Sequence, residues 1–275
     1  MNVGLVWPLS PTEFPPPDFL RHVREQTLAT HLRFDLDYRR TDAEALVDAV
    51  RGAGFIPLPI LNWPWSEGHQ PDLGRYCTAA VGLVGRSALD EIEILNEPRI
   101  MGGLDGTRYG SLARAACTWV RSMRRAVRIL LAGDYLQPDR AGPQIRRDWI
   151  DDVRAVVPDD LYDVVALHTY REPAPPETTR YESRQREWHA IVKPLPANVP
   201  TQVTEVGWNL HGVSLQEQGD YIGRELVINR DLGIGATYLF APIPGNSESD
   251  FGLFEHDWTP RPSALAIRAF QLGAV

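Results

Sequence analysis

The sequence predicts a single (β/α)8 barrel spanning residues 1–275. Three observations predict it. Short apolar runs alternate with longer amphipathic stretches from end to end, the signature of parallel strands joined by helical crossovers. Eight such pairs fit in 275 residues, near the ~250 typical of this barrel. The competing doubly wound sheet usually opens on a glycine-rich turn, whereas the first turn here reads Trp7-Pro8-Leu9-Ser10-Pro11.

The elements follow in order. A strand over residues 3–7 stops at Pro8, and a helix covers 17–29. A strand over 32–36 leads to a helix over 42–52, with Thr41 or Asp42 as N-cap and Gly52 and Gly54 near its end. The strand over 55–62 contains Pro57 and Pro59, which imply irregular or edge-like pairing. A helix over 72–86, a strand over 91–95, a long helix over 107–126 and a strand over 127–132 come next. Helices over 144–156 and 180–192 flank a strand over 164–168. The chain closes with a strand over 201–204, a helix over 215–231, a strand over 236–240 and a helix over 263–272. Runs such as Val127-Arg128-Ile129-Leu130-Leu131 suit strands covered by helices outside.

Composition narrows the function. Hydrophobic residues at 43% and charged residues at 23% are those of a globular protein. A net charge of −8 argues against nucleic-acid or anionic-membrane partners. No run approaches the ~20 apolar residues of a membrane span. The N-terminus lacks a basic region and an apolar core, so a cytoplasmic monomer is expected unless a leader was removed or export is unconventional. Cys77 and Cys117 read as free core thiols, and no Cys/His cluster has zinc-ligand spacing. No metal or cofactor is expected.

In such barrels chemistry sits where strands end and βα loops begin. The residues there are Trp7, Arg33 with Asp35, Asn62 with Trp63, Asn96 with Glu97, Asp134, His168 with Tyr170, Glu205 and Phe240. Glu97 closes strand four in Glu93-Ile94-Leu95-Asn96-Glu97-Pro98. Glu205 closes strand seven in Val203-Thr204-Glu205-Val206-Gly207-Trp208. Two carboxyls across a cleft are the machinery of glycoside hydrolysis, one giving a proton and the other attacking or activating water. Their environments must push their pKa values apart.

These motifs resemble the clan A glycoside hydrolases, (β/α)8 retaining glycosidases. There the acid/base Glu follows an Asn on strand four and the nucleophile Glu ends strand seven. The resemblance implies Glu97 as acid/base, Glu205 as nucleophile, Asn96 on the substrate 2-hydroxyl, Arg33 beside the nucleophile, and His168 and Tyr170 at the end of strand six. The stretch Phe251-Gly252-Leu253-Phe254 … Trp258-Thr259-Pro260-Arg261-Pro262-Ser263-Ala264 resembles the C-terminal end of families 5 and 39. Many relatives end strand eight with a Trp; here Phe240, or Trp258 from the loop, takes that place. Trp7, Trp63, Trp65, Trp208 and Trp258 lie at strand ends or in βα loops, where aromatic rings make sugar platforms. Trp63 and Trp65 are the foremost candidates, while one or two of the five are expected to plug the barrel mouth. Trp119, Trp149 and Trp188 fall in helical patterns and suit packing against the barrel.

Other readings stay open. Glu97 and Glu205 singly also fit helix-entry carboxylates. Arg33 fits a salt bridge to Asp35 or Asp37, and His168 a satisfied core histidine. A non-catalytic carbohydrate-binding barrel would keep the same cleft, and a metal-dependent hydrolase would use His31, His168 and Asp134. With about 34 residues per βα unit the loops must be short. That favours an open cleft, a β-linked oligo- or polysaccharide partner and endo action.

Overall fold

The computed structural model describes residues 1–8, 15–62, 72–87, 89–123, 126–135, 147–170, 173–177, 200–243 and 250–275. Eight strands are β1 (Asn2–Trp7), β2 (His31–Asp37), β3 (Ile56–Asn62), β4 (Glu91–Ile94), β5 (Arg128–Tyr135), β6 (Val164–His168), β7 (Thr201–Val206) and β8 (Ala236–Phe240). They close in chain order into one parallel barrel, β8 pairing back onto β1. Seven helices cover the described residues: α1 (Pro17–Thr27), α2 (Ala43–Gly52), α3 (Leu73–Arg86), α4 (Gly106–Met123), α5 (Arg147–Val156), α6 (Leu215–Asp231) and α7 (Pro262–Gln271). The helix expected over 180–192 lies outside them. No helix among the described residues is long and apolar enough to cross a membrane.

Strand alternation divides the apolar residues between two cores. Outward-facing Val3, Leu5, Leu32, Phe34, Ile92, Ile94 and Val203 join the helix faces in one buried layer. Inward-facing Val6, Leu58, Leu130, Val164, Ala236 and Tyr238 fill the lower barrel. Each fully buried Leu, Ile or Val contributes about 1.5–3 kcal/mol of burial, so both layers stabilise closure. Gly4 is required on β1, because a Cβ there would stand 2.3 Å from the Tyr238 ring inside the barrel. Cys77 and Cys117 are buried free thiols within the α3 and α4 faces.

Two expectations change. Pro57 and Pro59 do not make β3 an edge: it pairs with β2 along its whole length, from His31↔Ile56 to Asp37↔Asn62. Ile56 N–H points at β2, bonding Thr30 O, so the alternating prolines point their missing donors at β4. There the ladder contains only Ile60↔Glu93 and Leu61↔Ile94. Trp119 does not pack on the barrel; it is 56% exposed on the outer side of α4. Trp149 does pack inward, stacked on Tyr109 at 5.3 Å with its indole N–H donating to Leu104 O.

Candidate active site

Arg33 is the hub of the barrel mouth. Alternation on β2 points it inward, with side-chain exposure of 1%. Its Nε donates to Glu93 Oε2 at 2.7 Å and its Nη2 to Glu93 Oε1 at 3.1 Å, a two-pronged clamp from β4. Its Nη1 donates to Glu205 Oε2 at 2.8 Å, and Nη2 also reaches Asn96 Oδ1 at 2.7 Å. Nη2 lies 3.3 Å from His168 Nε2. Only a planar, permanently charged fork can serve β4, β6 and β7 at once. Burial pushes the guanidinium pKa down, but Glu93 and Glu205 beside it outweigh this, so Arg33 stays charged.

Glu93 was absent from the sequence-derived set. Its signal was a charge in the four-residue strand Glu91-Ile92-Glu93-Ile94, on the face opposite the apolar residues. The side chain is 0% exposed, so its carboxylate belongs to the scaffold that aims Arg33.

The two rim glutamates reach the mouth by different backbone devices. After β4, Leu95 and Glu97 have φ of 66° and 43°. Left-handed backbone at non-glycine residues costs on the order of 1–3 kcal/mol each, and such strain clusters at functional sites. Leu95 turns into the outer core while Asn96 and Glu97 turn inward. Met101 N–H bonds Glu97 O at 2.8 Å, which pins the turn. On β7 the device is a bulge: the register passes from Leu167↔Val203 to His168↔Glu205. The extra residue reverses the alternation, so Val203 and Val206 both face outward and Glu205 faces the mouth.

Glu205 is held at both oxygens. Tyr170 Oη donates to Oε1 at 2.6 Å, and Arg33 holds Oε2. Burial first, then Glu205, pushes the Tyr170 hydroxyl well above its ordinary range, so it remains a donor. Among the described residues Glu97 has one hydrogen-bond partner: its Oε1 lies 2.8 Å from His168 Nδ1. The same nitrogen lies 3.9 Å from Glu205 Oε2, so both carboxyls converge on one edge of the imidazole. Arg33 can only donate, so in the neutral ring Nε2 is the acceptor side and Nδ1 carries the proton toward Glu97; the charged ring keeps that Nδ1–H. His168 is sealed at 0% exposure, while Glu97 and Glu205 keep 16% and 13% open to the cleft.

The Glu97 carboxyl is not raised, contrary to the expectation of a resting protonated acid. Burial pushes it up, but the hydrogen bond and charge of His168 with the charge of Arg33 outweigh burial, and the net displacement is down. His168 moves the other way: burial lowers it, and Glu205 with Glu97 raise it further.

The aromatic set divides. Phe240 is partly exposed at the top of β8, edge-on to Tyr170 at 6.4 Å and to Phe251 at 5.3 Å. Gly207 makes room for this pair, since a Cβ there would meet Phe240 O at 2.5 Å. Trp7 is turned away from the cleft: sharing the face of Val3 and Leu5, it packs edge-on against Phe19 of α1. Trp208 is no platform either. It is fully buried, with its indole N–H on Ala174 O and its ring against Tyr221. Trp258 is 39% exposed but leans on Phe19 and His22 of α1, on the outer side of the rim. Trp63 and Trp65 lie outside the described residues, as does the side chain of Asp134. Among the described residues no three His, Cys, Asp or Glu are grouped to hold a metal ion. His31 begins β2, at the opposite end of the barrel from His168.

No protein-family model and no curated protein matches the sequence. Solved structures do match. A family 39 glycoside hydrolase from Bacteroides cellulosilyticus WH2 superposes with a TM-score of 0.77 at 18% identity, over 98% of this chain and 64% of that one. The chain has the fold of these enzymes. It spans less than two thirds of that first relative, but nearly the whole of others. The endo-1,4-β-D-mannanase of Thermotoga petrophila RKU-1 gives 0.66 at 13% identity, covering 98% of each chain. A β-1,3-glucanosyltransferase mutant from Rhizomucor miehei, in complex with laminaritriose, gives 0.69 at 12% identity over 95% of this chain and 96% of that one.

Proposed function

We propose that this chain is a retaining glycosidase acting on a β-linked oligo- or polysaccharide, with Glu205 as nucleophile and Glu97 as acid/base. One observation carries the reading: a single imidazole nitrogen lies 2.8 Å from one carboxyl oxygen and 3.9 Å from the other. Those oxygens are therefore at most about 6.7 Å apart. Retaining enzymes hold their carboxyl groups ~5–5.5 Å apart, inside that bound, while nearly all of the ~6.5–9.5 Å range of inverting enzymes lies beyond it.

In the first step Glu97 protonates the glycosidic oxygen while Glu205 attacks the anomeric carbon, forming a glycosyl–enzyme ester and releasing the leaving group. In the second, ionised Glu97 takes a proton from water, which attacks the same carbon and frees Glu205. Asn96, oriented by Arg33, bonds the 2-hydroxyl. The downward displacement of Glu97 suits the second step and confines the first to the acid side, so activity peaks at acidic pH. About 34 residues per βα unit leave little chain for loops, which favours a sugar chain lying across the mouth, hence endo action, which the product pattern from an oligosaccharide ladder reads directly.

Glu205→Ala tests the assignment. It abolishes hydrolysis of an activated aryl glycoside, and sodium azide restores turnover with a glycosyl azide of inverted configuration. Undiminished hydrolysis by this variant would remove Glu205 from the nucleophile role, whereas a wild type that binds sugar without turnover would favour a sugar-binding barrel.

A further inference from the structure

We propose that Asp35 selects the substrate, accepting hydrogen bonds from two neighbouring hydroxyls of the sugar whose anomeric carbon Glu205 attacks. This rests on the glycosidase reading above. Asp35 follows Arg33 by two residues on β2, so it shares the inward face one pleat nearer the mouth. Unlike Arg33 and Glu93 below it, it is partly exposed. Among the described residues its hydrogen-bond donor is Asn62, whose Nδ2 lies 3.3 Å from Oδ1. Asn62 Oδ1 in turn accepts the Asn96 N–H at 3.3 Å. Asp35, Asn62 and Asn96 thus form one line around the mouth over β2, β3 and β4, ending at the residue before Glu97.

A carboxylate here is costly for the fold. Burial, with the like charges of Glu205 and Glu93, pushes it up to about 6 despite Arg33. A neutral side chain would fill the position without that penalty. What a carboxylate adds is two acceptor oxygens side by side, which match the adjacent O–H donors of a sugar diol. The oxygen that takes the Asn62 bond retains acceptor capacity, and among the described residues no hydrogen bond reaches the other.

The experiment compares kcat/KM of wild type, Asp35→Asn and Asp35→Ala at pH 7, where the Asp35 carboxyl is ionised. The probes are 4-nitrophenyl β-D-gluco-, manno-, galacto- and xylopyranosides with their monodeoxy derivatives. Both variants lose about 10–100-fold on the best parent glycoside, the scale of one or two hydrogen bonds to a charged acceptor. On each derivative lacking one of the two hydroxyls that Asp35 binds, the loss shrinks to about 3–10-fold, since one of the two contacts is already gone. An equal loss on the parent and every deoxy derivative would mean that Asp35 acts through Arg33 and Glu205, and overturns the proposal while leaving the glycosidase standing. A wild type that turns over no glycoside yet binds one sugar more tightly than Asp35→Asn, by calorimetry, supports the selector and overturns catalysis. A wild type that neither cleaves nor binds any probe overturns both.

Discussion

The ends of β4 and β7 each deliver one glutamate to the same cleft, and they hold it in opposite ways. Glu205 comes off a bulged strand and has a donor at each oxygen, Arg33 and Tyr170. Glu97 comes off a left-handed turn and meets one ring nitrogen, that of His168. Two donors hold that carboxylate in one orientation. One partner that itself titrates leaves the other carboxyl able to change charge. The barrel makes two roles from one residue type by changing what surrounds it.

Exchanging the two glutamates for alanine breaks that comparison at its strongest point. Glu205→Ala costs 10⁴-fold or more in kcat, roughly as expected on losing a nucleophile. Glu97→Ala costs about 10²–10⁴-fold on a poor leaving group. It costs far less on a 2,4-dinitrophenyl glycoside, whose leaving group needs no proton. With azide, Glu97→Ala yields the retained glycosyl azide, opposite to Glu205→Ala. Interchanged product configurations would interchange the roles.

Next in size is Arg33, which serves both ends. Arg33→Met leaves Glu93 sealed in the barrel without the Arg33 clamp on its two oxygens. Breaking one side of a buried ion pair costs about 3–5 kcal/mol, measurable by urea denaturation at pH 7. Arg33→Met with Glu93→Gln removes the stranded charge and recovers part of the loss. Recovery in the double variant is the sharper readout, and its absence would mean that Glu93 is not what Arg33 neutralises. Tyr170→Phe touches the β7 side alone. Losing its bond to the Glu205 carboxylate lowers kcat by about 10–100-fold while the fold is kept. An unchanged kcat would leave Glu205 held by Arg33 only.

Much of this was legible in the chain, for physical reasons that also explain the rest. Eight apolar runs separated by amphipathic helices leave few ways to bury both faces of a parallel sheet, so the barrel follows from alternation. The ends of those runs then mark Glu97, Glu205, Arg33, His168 and Tyr170. The direction a side chain takes at a strand end was harder to read. Alternation already put Trp7 on the face of Val3 and Leu5, away from the cleft. At Glu205 alternation would have pointed the carboxylate outward, and the bulge that corrects it depends on pairing with β6 rather than on any local signal. Glu93 was passed over because it sits mid-strand, where a charge makes sense only once Arg33 is seen across the barrel.

The smallest expected effect probes the β4 side alone. His168 lowers the Glu97 carboxyl through its hydrogen bond and its charge. Glu97 must carry the proton for the first step, so the alkaline limb of kcat/KM marks its loss. His168→Gln keeps a donor but removes the charge; His168→Leu removes both. In either variant burial prevails more fully, Glu97 keeps its proton to higher pH, and the alkaline limb moves up, further in the leucine variant. Stability carries the matching sign. Glu97, lowered in the fold, contributes above its unfolded pKa and loses that contribution as pH falls through the folded one. His168, raised in the fold, contributes below its unfolded pKa and loses that as pH rises through the folded one. The pair therefore stabilises wild type over His168→Leu most between the two unfolded values, and the advantage shrinks as pH passes through the folded value on either side. An alkaline limb that stayed in place or moved toward acid would show that Glu97 is not the group whose proton is lost there.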